Sequence, residues 1–94
     1  MREAEIESYF VWWVAKLGGT AYKFKSPSNR GVADRIACLP GGKVWFVELK
    51  RPQGGRLSEL QKIFGQLMLD LGQNYTTLWT KKQIDKWAYE TTKK

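Results

Sequence analysis

Apolar positions in the first segment recur at helical spacing. Ile6, Phe10, Trp13, Val14 and Leu17 line one side of the stretch from Arg2 to Leu17. Gly18-Gly19 follows and predicts the stop, because glycine accepts the backbone conformation common just past a helix end. From Thr20 to Lys25 the period changes to two, with Ala21, Lys23 and Lys25 facing one way and Tyr22 and Phe24 the other, which predicts a short strand. Ser26-Pro27-Ser28-Asn29-Arg30-Gly31 is loop chemistry. Two runs rich in Ile, Val, Trp and Phe, Asp34 to Leu39 and Lys43 to Lys50, flank Pro40-Gly41-Gly42 and predict a β-hairpin. Arg51-Pro52-Gln53-Gly54-Gly55 ends its second strand. Ser58-Glu59-Leu60-Gln61 has the form of a capping box, and Leu60, Ile63, Phe64, Leu67, Met68 and Leu71 continue at helical spacing up to Gly72. Tyr75 to Trp79 reads as a fourth strand. Thr80-Lys81-Lys82-Gln83 is a second capping box, opening a last helix that carries Ile84, Trp87 and Ala88. The order α-β-β-β-α-β-α predicts an α/β fold, a small mixed sheet flanked by helices.

Composition narrows the chemistry. A chain of 94 residues, 43% apolar, is expected to form one domain over 1–94 with one small core. The five Trp each fall in a predicted regular element and are expected in that core, with Cys38 as a small buried hydrophobe. The longest apolar run, Tyr9 to Ala15, is far short of a membrane span. Acidic Glu3, Glu5 and Glu7 stand where a secretory signal would be basic, so a cytoplasmic protein of a bacterial cell or phage-infected host is expected. One cysteine and no histidine exclude a disulfide framework, Cys-cluster zinc sites, His-ligated metals and Ser-His or Cys-His catalysis. Any metal must then be a hard ion held by oxygen, which means Mg²⁺, Mn²⁺ or Ca²⁺.

Charge adds a partner. The net charge is +7, and residues 20–62 hold most of the excess. There Lys23, Lys25, Arg30, Arg35, Lys43, Lys50, Arg51, Arg56 and Lys62 face only Asp34, Glu48 and Glu59, a local +6. Such a concentration favours a polyanion, most simply nucleic acid.

Within that basic third lies a constellation with chemistry in it. Glu48 and Lys50 are two apart on one strand and emerge on the same face. If Pro40-Gly41-Gly42 is a three-residue loop, Leu39 pairs with Lys43. Counting outward, Asp34 falls opposite Glu48, the two side chains roughly 5 Å apart. Carboxylates that close repel unless a cation lies between them, and a divalent metal would hold both. A carboxylate-held Mg²⁺ polarises a phosphoryl oxygen and lowers the pKa of a bound water, and a lysine ammonium can steady the developing negative charge. The expected product is a phosphodiester hydrolase without histidine. An E-x-K triplet alone is common on sheet surfaces; the opposed aspartate is what gives it weight.

Gly31-Val32-Ala33-Asp34-Arg35-Ile36, then Val47-Glu48-Leu49-Lys50, then Leu57-Ser58-Glu59-Leu60-Gln61 resemble the VRR-NUC family, a branch of the PD-(D/E)xK nuclease superfamily. The likeness runs over nearly the whole chain; Ala33 stands where much of the family carries proline. The resemblance implies a small restriction-endonuclease-like core with Asp34 and Glu48 as metal ligands and Lys50 as the catalytic lysine. It adds the backbone carbonyl of Leu49 as an extra ligand and Gln61 as a contact to the reacting water or the scissile phosphate. Glu7 maps to the acid this superfamily often places on its first helix, where it could join the metal shell. For Gln61 the competing role is helix capping, and for Glu7 it is a favourable charge near a helix N-terminus.

The chain is thus expected to be a Mg²⁺-dependent DNA endonuclease, with Mn²⁺ substituting. The resemblance to junction-resolving enzymes implies branched substrates such as four-way junctions and a homodimer, built through the first or last helix or the edge of the fourth strand. Lys23, Lys25, Arg30, Arg35, Arg51, Arg56 and Lys62 lie on segments bordering the hairpin and are expected to supply phosphate contacts. The Gln53-Gly54-Gly55-Arg56 loop is expected to be flexible enough to close over a substrate. The rivals are a non-catalytic nucleic-acid-binding module and a protein-interaction domain that uses the basic surface alone.

Overall fold

A computed structural model of the chain describes residues 2–93. The elements are α1 (Glu3–Lys16), β1 (Thr20–Lys23), β2 (Arg35–Leu39), β3 (Lys43–Leu49), α2 (Glu59–Asp70), β4 (Tyr75–Leu78) and α3 (Lys81–Thr92). They follow the predicted order, with each strand or helix trimmed by a residue or two where the chain turns. The four strands form one sheet in the order β1-β2-β3-β4. β1, β2 and β3 are antiparallel neighbours, whereas β4 runs parallel to β3 because α2 carries the chain back across the sheet before it re-enters.

Alternation along the strands divides the sheet into two unlike faces. One face presents Ala37, Leu39, Val47, Leu49 and Leu78 to α1 and α3, where they bury Ile6, Phe10, Val14, Ile84, Trp87 and Ala88. This is the main core. Asp85 of α3 ties the two helices together by accepting from the Tyr9 hydroxyl and from Trp13 Nε1. The opposite face carries Phe46, Glu48 and Tyr75, and α2 lies over it. There Phe64 packs edge-on against Phe24, Phe46 and Tyr75, with ring centroids 6.1–6.2 Å apart. The hairpin register is Leu39 opposite Lys43 through Arg35 opposite Val47. One step further along that ladder, Asp34 comes opposite Glu48.

Much of the apolar stripe of α2 faces outward: Leu60, Ile63, Leu67 and Leu71 are 45–61% exposed, while Gln61, Phe64, Gly65 and Met68 are the covered positions. Three expectations change here. Trp12 is half exposed on the outer side of α1, so not every Trp is internal. Cys38 is only partly covered, on the stretch of sheet beyond the reach of α2. The second capping box is half formed. Thr80 Oγ1 accepts from the Gln83 amide at 3.0 Å, but Gln83 Oε1 accepts from Trp79 N at 2.7 Å instead of from Thr80.

Candidate active site

β3 supplies the centre. Glu48 sits in its last turn of alternation, directed under α2 and away from the main core, with a side chain only 1% exposed. Burial of an acid costs several kcal/mol unless its oxygens are satisfied. One oxygen is: Glu48 Oε2 accepts from Gln61 Nε2 at 2.9 Å and lies 3.6 Å from Lys50 Nζ. The other, Glu48 Oε1, is buried with no hydrogen-bond partner.

Asp34 approaches from the adjacent strand. Its Oδ2 accepts from the Leu49 amide at 2.9 Å, which fixes the carboxyl at the point where β2 and β3 part. A residue's amide and carbonyl leave an antiparallel strand on the same edge, so the Leu49 carbonyl projects toward the same opening. Lys50, 14% exposed, completes the β3 contribution.

α2 brings Gln61. Ser58 Oγ accepts from the Gln61 amide at 3.1 Å, while Gln61 Oε1 accepts from the Ser58 amide at 2.8 Å. The capping box is therefore complete, and it leaves the side-chain amine of Gln61 pointing at Glu48. Capping and site contact, alternatives on sequence grounds, coexist in one side chain.

The electrostatics follow from the geometry. Burial first, and then the neighbouring Asp34 carboxylate, push the Glu48 pKa up to about 8; Lys50 opposes this only partly. Without a cation, burial favours the protonated form of Glu48. Burial, with the Glu48 and Asp34 charges behind it, also raises the Tyr75 hydroxyl, while its hydrogen bond with Thr77 opposes the shift. That hydroxyl lies 3.2 Å from Thr77 Oγ1, and Thr77 pairs with Glu48 across the parallel β3–β4 ladder. Tyr75 and Thr77 thus belong to the site's wall. The two stand two apart on one strand and so share a face, but a parallel register leaves no local turn from which to count their partners.

A hard divalent cation fits this donor set. It would satisfy the orphaned Glu48 Oε1, relieve the repulsion from Asp34 and find the Leu49 carbonyl on the same edge. Among the described residues no group of three or more His, Cys, Asp or Glu side chains converges, so backbone, water and phosphate oxygens would complete the shell.

Glu7 is not brought to this pair. Its Oε2 accepts from Arg35 Nε at 2.8 Å on the α1 side of the sheet, since Arg35 and Asp34 point to opposite faces. The same bond corrects Arg35: its guanidinium is 14% exposed and also donates to the Ala21 carbonyl, which leaves it turned inward and away from solvent phosphates. Lys23, Lys25, Arg30, Arg51, Arg56 and Lys62 are all exposed. The Gly54-Gly55 loop folds tightly on Arg51, where a Cβ on Gly55 would lie 2.4 Å from the Arg51 carbonyl oxygen.

No protein-family model matches the chain. Over 52 residues, 55% of its length, it is 56% identical to a protein of Acyrthosiphon pisum secondary endosymbiont phage 1 named "Putative nuclease p44". That match spans 56% of the phage protein, a little over half its length. A solved structure described as a VRR_NUC domain shares the fold with a TM-score of 0.88, over 97% of this chain and 97% of that one, at 26% identity. The chain thus shares the fold of a VRR_NUC domain from end to end and, over a little more than half of its length, resembles a protein named as a putative nuclease.

Proposed function

We propose that the chain is a metal-dependent DNA endonuclease in which Asp34, Glu48 and the Leu49 carbonyl hold Mg²⁺, with Mn²⁺ able to substitute. The observation that carries this is Glu48 itself: a buried carboxylate with one oxygen unpartnered, beside a second carboxylate and a lysine. A bound divalent cation supplies Lewis-acid polarisation of the scissile phosphate and makes a water easier to deprotonate.

The chain's own groups divide the remaining work. Asp34 is held by the Leu49 amide through one carboxyl oxygen, which leaves the other for the cation. Lys50 places an ammonium within reach of the Glu48 carboxylate, where it orients the attacking water and offsets negative charge on the pentacovalent phosphate. Gln61 steadies Glu48 through a hydrogen bond from its side-chain Nε2, and its place in the first turn of α2 brings that helix N-terminus beside the site. Lys25, Arg30, Arg51, Arg56 and Lys62, with Lys23 on the edge strand, supply a cationic surround for the phosphate backbone.

Branched DNA is the proposed substrate, and a homodimer the proposed working form. Both rest on the resemblance to junction-resolving enzymes read from the sequence, and on the need for two sites if two strands are cut symmetrically. Such activity places the protein where DNA is replicated or repaired, inside a bacterial or phage-infected cell. The test is one gel series: linear, nicked, flap and four-way-junction DNA with Mg²⁺, Mn²⁺ or EDTA, at two salt concentrations. Cleavage confined to the metal lanes, strongest on the junction, supports the proposal. Binding that survives EDTA with no nicking in Mn²⁺ would leave only a nucleic-acid-binding module.

A further inference from the structure

Gly65 stands in the middle of α2, where glycine is the poorest helix former after proline. The position is explained by what lies beneath it. A Cβ built there would lie 2.6 Å from Tyr75 Cε2, 2.7 Å from Cζ and 2.9 Å from the hydroxyl, far inside van der Waals contact. The Tyr75 ring cannot swing aside freely, since Phe64 packs against it and its hydroxyl bonds Thr77. One turn earlier α2 is approached just as closely: a Cβ on Gly31, at φ +83°, would lie 2.4 Å from the Leu60 carbonyl carbon. The two contacts bracket Gln61, whose amine reaches Glu48 at 2.9 Å.

We propose that Gly65 and Tyr75 form a seat that sets the height of α2 above the sheet, making Tyr75 a positioning residue that delivers Gln61 to Glu48. The inference rests on the nuclease proposal only for its kinetic consequence; the geometric consequence stands alone. A methyl group at position 65 must lift the helix or displace the ring. Either movement draws on the same short span of α2 that carries Gln61, four residues upstream. A hydrogen bond weakens steeply over a few tenths of an ångström beyond its usual range, so a small lift is enough to break it.

The test uses Gly65→Ala, Tyr75→Leu and the double variant, each as the full chain. Leucine lacks the distal ring atoms that a Cβ at 65 would meet. In crystal structures, Gly65→Ala is expected to separate Gln61 Nε2 from Glu48 Oε2 beyond 3.5 Å, and the double variant to restore the contact. In kinetics, Gly65→Ala is expected to lower kcat for Mg²⁺-dependent cleavage at least tenfold with KM within twofold. The double variant should recover most of that loss, a rescue that simple destabilisation would not give. If Gly65→Ala does not fold, Tyr75→Leu alone carries the test, since the unseated helix should release Gln61 there too. A Gln61–Glu48 bond unchanged in the single variants overturns the seat, whatever the activity. Wild-type chain that cuts no DNA in Mg²⁺ overturns the nuclease proposal instead and leaves the structural result to be judged separately.

Discussion

Gln61 Nε2 donates to Glu48 Oε2 at 2.9 Å while the other end of the same amide accepts from the Ser58 backbone at 2.8 Å. Helix initiation and site order therefore share one side chain, and the two can be separated by substitution. Gln61→Glu keeps a capping-box acceptor but sets a third carboxylate beside Glu48. It is expected to hold the melting temperature in Mg²⁺ near wild type while cutting DNA at least tenfold more slowly. Gln61→Ala should lose both roles, with about 1 kcal/mol of stability gone as well. Melting curves and single-turnover rates on the same samples check both.

The raised Glu48 pKa gives a signed pH dependence. An acid whose folded pKa, about 8, lies above its ordinary value of 4.5 binds its proton more tightly when folded. Its stabilisation is complete below the unfolded value and is lost as the pH climbs through the folded one. In EDTA the melting temperature is therefore expected to fall as the pH is raised from about 5 to about 8.5. Each 1 kcal/mol corresponds to about 4–8 °C in a domain of this size. Glu48→Gln should abolish the fall and melt above wild type at the alkaline end. Mg²⁺ should stabilise wild type more as the pH rises, since it binds the ionised carboxylate. A flat wild-type profile in EDTA would count against the buried carboxylate pair.

Lys50 is paired with Glu48 but is not needed to build the sheet. Lys50→Ala is expected to lower the cleavage rate by a factor of about 10² or more, within the range of lost electrostatic stabilisation, while junction binding in Ca²⁺ stays within a few-fold. Gel-shift and cleavage assays run side by side decide it; equal losses in both would assign Lys50 to substrate binding.

The ion pair between Glu7 and Arg35, at 2.8 Å on the far side of the sheet, is structural. Glu7→Gln is expected to cost about 1–2 kcal/mol of stability, as lost hydrogen bonds between charged groups do, and to leave Mn²⁺ affinity unchanged. Calorimetric titration with Mn²⁺ is the check, and a tenfold loss of affinity would return Glu7 to the metal shell.

Most of the fold could be read from the chain, and the reasons are local. Periodicity of 2 and 3.6 separates the elements, Ser58 and Thr80 mark helix starts, and Pro40-Gly41-Gly42 sets a register in which counting alone opposes Asp34 to Glu48. What escaped depends on how elements meet in space. Helical spacing in α2 does not say which side meets the sheet: Leu60, Ile63 and Leu67 face out, while Gly65 lies close on Tyr75. Arg35 sat among the candidate phosphate ligands by its place in a basic run, but strand alternation turns it from Asp34 toward Glu7. Glu7 went astray for the same reason, seen from the helix. Tyr75 and Thr77 went unremarked because a parallel partner is chosen by a crossover helix, which carries no count from strand to strand.

Anomalous scattering from crystals grown with Mn²⁺ tests the central claim most directly. The predicted result is a single strong peak within ligand distance of Glu48 Oε1, an Asp34 carboxyl oxygen and the Leu49 carbonyl, absent from the Glu48→Gln variant. Crystals at millimolar Mn²⁺ with no peak between those two acids, or with the ion bound only elsewhere, would contradict it.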